Sequence, residues 1–196
     1  MDIVYKGYCI SRMLFDKGST YVLGNELKDF KKTERVYGDN KGVVGSIYDL
    51  TYEASEINDF ILIGNACNAR DYYKLKEQNV GLIVNCTKDI PDYFEDEFDY
   101  QRVDVKDVNE ADILPHLHRL SDYIEEFRKK NPEQKVLVHC FMGSSRSATI
   151  VIAYLMKYEK LRRRDALNFC KQKRALVNIN TDFFAQLLEF EKTLTY

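Results

Sequence analysis

Two stretches, VGLIVNCT (80–87) and KVLVHC (135–140), constrain this chain more than any others. Each carries an uninterrupted apolar run with no charged residue inside it. Such runs read as strands buried on both faces, which happens in parallel sheets covered by helices on each side. The segments around them fit that arrangement. INDFILIGN reads as a strand ending in a turn, ARDYYKLKEQNV as a helix with one apolar face, and YQRVDV as a further strand. ILPHLHRLSDYIEEFRKK is an amphipathic helix whose basic end suits the helix dipole. SATIVIAYLMKYE, RRDALNFCKQKR and TDFFAQLLEFEKTL read as three more helices, and DIPDYFEDEFD as an acidic loop. Strands alternating with helices imply an α/β fold, a mostly parallel central sheet of about five strands flanked by helices.

The regular pattern occupies residues 56–196. Residues 1–55 are richer in Gly, Lys, Asp and Tyr and only weakly periodic, and are expected to be an extension. Within it DIVYKGYCIS is strand-like, GNELKDFKKTERV helix-like and GDNKG a turn. The extension could cover a site, bind substrate or support a homodimer. The 196 residues and 45% hydrophobic content supply one real core, and the formal charge of −2 gives no general pull toward nucleic acid or membrane. The start shows no secretory signal, and the longest apolar run, around 148–156, is too short to span a bilayer. Five cysteines (Cys9, Cys67, Cys86, Cys140, Cys170) are odd in number and widely spaced, so reduced thiols and a cytoplasmic location, with nuclear access open, are expected. No CxxC pair occurs and the three histidines do not group with cysteines, so neither metal nor cofactor is expected.

VLVHCFMGSSRSATIVIAYLM (136–156) turns from strand to helix at Cys140. In open α/β sheets, ligands sit beyond the carboxyl ends of strands. The loop there leads into a helix N-terminus, where unpaired N–H groups and the dipole favour an anion. Gly143 allows a tight turn. Arg146 adds a planar fork that grips two phosphate oxygens. The same field favours the thiolate of Cys140. A thiolate beside a phosphate cradle attacks phosphorus. The plainer reading of Cys140 is a buried structural thiol.

His139, Cys140, Gly143, Arg146 and Ser147 spell H-C-x-x-G-x-x-R-S. This resembles the signature of cysteine-dependent protein phosphatases. ILIGNACNARD, GLIVNCT, RVDVKD and FFAQLLEFEKTL resemble the dual-specificity branch in order and spacing, over residues 57–196. The resemblance implies the cysteine-phosphatase fold, a cysteinyl-phosphate intermediate, and hydrolysis of phosphotyrosine and phosphoserine or phosphothreonine on a phosphoprotein. It implies that residues 141–146 (Phe141, Met142, Gly143, Ser144, Ser145, Arg146) hold the phosphate and that His139 orders the loop. Ser147 assists as the phosphoenzyme breaks down, or is simply a helix residue. It implies a general acid, with Asp107 at the matching position, Asp104 a rival taken to lie in the strand, and Asp112 read as a helix N-cap. Cys86 is either a core thiol or the partner that captures an oxidised Cys140 as a disulfide. Arg174 resembles a position at the mouth of the site.

The chain departs from the branch in two places. A usual Pro-Asn reads Ile179-Asn180, and a common glycine is Asp182. The loop contains no lysine, which disfavours highly charged lipid headgroups. Other readings are a phosphoprotein-binding module of the same fold, or a phosphatase for RNA 5′ ends or lipids.

Overall fold

A computed structural model describes residues 53–195. The strand, helix and turn expected within residues 1–52, and Cys9 with them, lie outside the described residues. The elements run β1 (Ser55–Glu56), β2 (Ile61–Gly64), α1 (Ala66–Arg70), α2 (Tyr72–Glu77), β3 (Val80–Asn85), β4 (Asp99–Arg102), α3 (Leu114–Lys130), β5 (Lys135–His139), α4 (Arg146–Tyr158), α5 (Arg163–Lys173) and α6 (Thr181–Lys192). The five-stranded sheet has the order β1-β2-β5-β3-β4. Every neighbouring pair is parallel except β1 with β2.

Strand alternation splits the core in two. Ile61, Ile63, Leu82, Val84, Val136 and Val138 join the cluster formed with α3, α4, α5 and α6. Leu62, Ile83 and Leu137 point the other way, onto Ala69, Leu75 and Phe98. Both faces are therefore covered, as the uninterrupted runs require. Each of these aliphatic side chains is almost fully buried, worth about 1.5–3 kcal/mol apiece. Helix α4 is buried at every residue from Ser147 to Met156. Its charge-free SATIVIAYLM makes it an inner helix, packed on the sheet and on α3, α5 and α6.

Three local features differ from expectation. ARDYYKLKEQNV holds the end of one short helix and all of another. Asp71 closes α1 and caps α2, its carboxylate accepting from Lys74 N–H at 3.1 Å. Asn65 starts α1 through a reciprocal cap with Asn68. Strand β4 ends at Arg102, so Asp104 lies beyond it. Strand β1 is two residues long, too short to show a period.

Register sets where the site lies. Gly64 and Asn85 both pair with His139, and Arg102 pairs with Asn85. The parallel strands thus finish level, and Cys140 is the first residue past the central one.

Candidate active site

Residues 140–145 form a loop from β5 into α4, and its carbonyls are held from outside. Phe141 O accepts from Ala66 N–H at 3.1 Å, and Ser144 O from Asn178 N–H at 3.0 Å. Met142 O accepts from Arg174 Nη2 at 3.2 Å and Gly143 O from Arg174 Nε at 2.8 Å. Ser145 O accepts from Thr149 N–H at 2.8 Å and Thr149 Oγ1 at 2.9 Å. In a trans peptide the N–H points opposite to the C=O before it. Five carbonyls held outward therefore turn the N–H groups of residues 142–146 toward the concave side. One of them, Gly143 N–H, donates to Cys140 Sγ at 3.2 Å. Gly143 has φ 71, and a Cβ there would meet Gly64 O at 2.5 Å and Arg174 Nη2 at 2.8 Å. Both backbone conformation and space demand glycine.

Cys140 is 1% exposed, at the base of this cradle. Ser147 Oγ also donates to its sulfur, at 3.3 Å. The sulfur thus takes two donors, one from the loop backbone and one from the first turn of α4. Ser145 occupies the N-cap of α4 without a side-chain cap bond. Its hydroxyl instead donates to Asp107 Oδ1 at 2.7 Å. The first turn of α4 thus stays open to an anion.

Arg146 Nη1 donates to Val105 O at 3.3 Å. Its Nε lies 3.7 Å from Asp107 Oδ2, and among the described residues it is buried with no hydrogen-bond partner. A buried guanidinium N–H left open beside inward-facing amides suits an oxyanion. Asp107 Oδ1 also accepts from Asn180 Nδ2 at 3.1 Å. Asp104 is 55% exposed on its side chain and faces Lys88 at 4.0 Å. Asp112 is not the N-cap of α3: Ile113 holds that place without a side-chain cap bond, and Asp112, one residue earlier, accepts from Leu114 N–H at 3.2 Å.

His139 is fully buried, and its Nδ1 lies 3.4 Å from Cys140 O. That contact needs the proton on Nδ1. Burial pushes its pKa down to about 4. The folded protein therefore holds a neutral ring while the unfolded chain takes a proton below pH about 6.5. The stabilisation is full above that pH and is lost as pH falls toward 4, by about 3 kcal/mol in all. Urea unfolding at pH 7 and pH 5 measures it. His139→Asn should lose about 2 kcal/mol less than wild type between those pH values. An identical loss in both proteins would remove His139 as the cause.

Cys86 is fully buried one residue past β3, and its N–H donates to His139 O at 2.8 Å. Burial raises its thiol pKa well above the usual range, and the facing Cys140 adds to that rise. Arg174 differs from expectation. It is not at the mouth but fully buried, under the loop. Its guanidinium ties Met142 and Gly143 to Ser55 Oγ at 3.1 Å and Glu53 O at 3.3 Å. Carbonyl and hydroxyl acceptors compensate the buried charge. Sequence reasoning also missed Ser145 and Asn180 as partners of Asp107.

Residues 61–193 match the dual specificity phosphatase catalytic domain family. The chain is 37% identical over 136 residues to human dual specificity protein phosphatase 4, covering 69% of this chain and 34% of that protein. It is 36% identical over 136 residues to dual specificity protein phosphatase 1-A of Xenopus laevis, covering 69% and 36%. The chain thus spans about a third of the length of these curated relatives. Among solved structures, human DUSP28 superposes with a TM-score of 0.67 at 28% identity, covering 70% of this chain and 95% of that one. The human tyrosine phosphatase-like serine/threonine/tyrosine-interacting protein gives 0.66 at 27%, covering 71% and 95%. A match of this extent decides membership: the chain belongs to the dual specificity phosphatase catalytic domain family.

Proposed function

We propose that the chain hydrolyses phosphotyrosine and phosphoserine or phosphothreonine on proteins through a cysteinyl-phosphate intermediate. The observation that carries this reading is the outward-held loop with a sulfur at its centre and the open Arg146 Nε beside it. The inward amides and Arg146 hold the non-bridging oxygens. Cys140 Sγ attacks phosphorus as the bond to the leaving oxygen breaks. Asp107 gives its proton to that oxygen. Its Oδ1 accepts from Ser145 and Asn180, and Oδ2 is the oxygen nearer Arg146. In the second step the Asp107 carboxylate takes a proton from water, water attacks phosphorus, and Cys140 leaves as thiolate. The Ser147 hydroxyl donates to that departing sulfur.

Hydrolysis of p-nitrophenyl phosphate by the purified protein tests the chemistry, and a panel of phosphotyrosine, phosphothreonine, lipid and RNA 5′-phosphate substrates tests the class. An inert protein that still binds phosphopeptides would support the binding-module reading instead. Among the described residues no helix is long and apolar enough to cross a membrane. The free cysteines among them suit a reducing compartment, so we place the chain in the cytoplasm, with nuclear access open.

The proposal includes a reversible Cys86–Cys140 disulfide under peroxide. It is supported by the neighbouring strand ends, where Asn85 pairs with His139 and Cys86 and Cys140 follow them. Peroxide oxidises the Cys140 thiolate to a sulfenic acid, releasing hydroxide. Cys86 then attacks that sulfur, the thiol proton leaves with the sulfenic oxygen as water, and the S–S bond forms. Mass spectrometry after peroxide treatment should find a linked Cys86–Cys140 peptide. Sulfinic and sulfonic Cys140 with no linked peptide would overturn the disulfide.

A further inference from the structure

The segment between Val105 and Leu114 carries Asp107, and α6 fastens it at three points. Asn180, the N-cap of α6, accepts from Phe183 N–H at 2.8 Å while its amide donates to Asp107 Oδ1. Asp182, in the first turn, accepts from Glu110 N–H through Oδ2 at 2.7 Å. Gln186, one turn on, accepts from Ile113 N–H at 2.8 Å and Leu114 N–H at 2.9 Å, and donates to Ala111 O at 2.8 Å. Glu110 is the strained member. Its φ is 72, a left-handed conformation unfavourable to a residue with a Cβ. That conformation aims its N–H at Asp182.

We propose that Asp182 is a positioning residue for the general acid. Through Glu110 N–H it holds the acid segment in the arrangement that brings Asp107 Oδ2 to the Arg146 guanidinium. The inference rests on Asp107 being the acid. Of the three α6 residues only Asn180 reaches Asp107, which the Ser145 hydroxyl also holds, and Gln186 fixes residues 111–114. The Asp182 contact, three residues past Asp107, fixes the stretch between those two anchors. The position is one where the family resemblance leads one to expect glycine, which has no side-chain acceptor for Glu110.

The test measures kcat and KM for Asp182→Ala and Asp182→Asn, in wild type and in an Asp107→Asn background. Two substrates are used: p-nitrophenyl phosphate, whose leaving group gains from protonation, and 2,4-dinitrophenyl phosphate, whose leaving group gains much less. Asp182→Ala should lower kcat on the first by about tenfold and change the second by less than about twofold, with KM little altered. Asp182→Asn, which keeps an oxygen acceptor, should recover most of the rate. In the Asp107→Asn background Asp182→Ala should add no further loss. Equal losses on both substrates, or a further loss without the acid, would assign Asp182 a merely structural role and overturn the proposal. A wild type inert on both substrates would overturn the phosphatase reading itself, a result distinct from either.

Discussion

Cys140→Ser is expected to lower kcat on p-nitrophenyl phosphate by about 10⁴-fold or more, the scale seen when a covalent nucleophile is removed. A serine hydroxyl ionises far less readily than a cysteine thiol and is the weaker nucleophile. Asp107 bonds Ser145 and Asn180 through Oδ1, and its part is at the leaving oxygen and the water. The rest of the site should survive. The loop carbonyls are held by Ala66, Arg174, Asn178 and Thr149, whose bonds to them do not run through the sulfur. The variant should therefore still bind tungstate or inorganic phosphate, seen as a rise in melting temperature that grows with anion concentration. Loss of turnover with anion binding retained supports the nucleophile assignment. Residual turnover within about tenfold of wild type would remove Cys140 from that role.

What the chain displays in one dimension is whatever a local pattern determines. Strands β3 and β5 are legible because they are apolar on both faces, which only a covered parallel sheet satisfies. The Cys140-to-Arg146 loop is legible because its function depends on spacing within one turn. The acid latch is not legible. Asn180 meets Asp107 and Asp182 meets Glu110 across 73 and 72 residues. Nothing in either segment alone marks the other as partner. Arg174 misleads for a related reason. It follows Lys171 and Lys173, both exposed, so its charge reads as one more member of a basic face. Its direction is decided by the carbonyls of Met142 and Gly143, which the loop turns toward it. The break between α1 and α2 was available in principle. Asn65 and Asp71 are both cap-forming types, but the helical period runs through Asp71 and hides it.

Asp107→Asn is expected to lower kcat on p-nitrophenyl phosphate by about 10²–10³-fold, within the range that a positioned general acid contributes. The amide keeps an oxygen for the Ser145 hydroxyl and the Asn180 amide, so the segment should stay in place and the fold should not change. What is lost is the proton for the leaving oxygen. One signature separates that loss from general damage: the defect should shrink on 2,4-dinitrophenyl phosphate, whose leaving group departs with little help. Asp104→Asn serves as the control. Its carboxylate faces Lys88 at the exposed surface, so its rate should stay within about twofold of wild type. A large loss in Asp104→Asn with Asp107→Asn unaffected would move the acid to the neighbouring carboxylate. It would also leave the Ser145 and Asn180 contacts to Asp107 with a purely structural purpose.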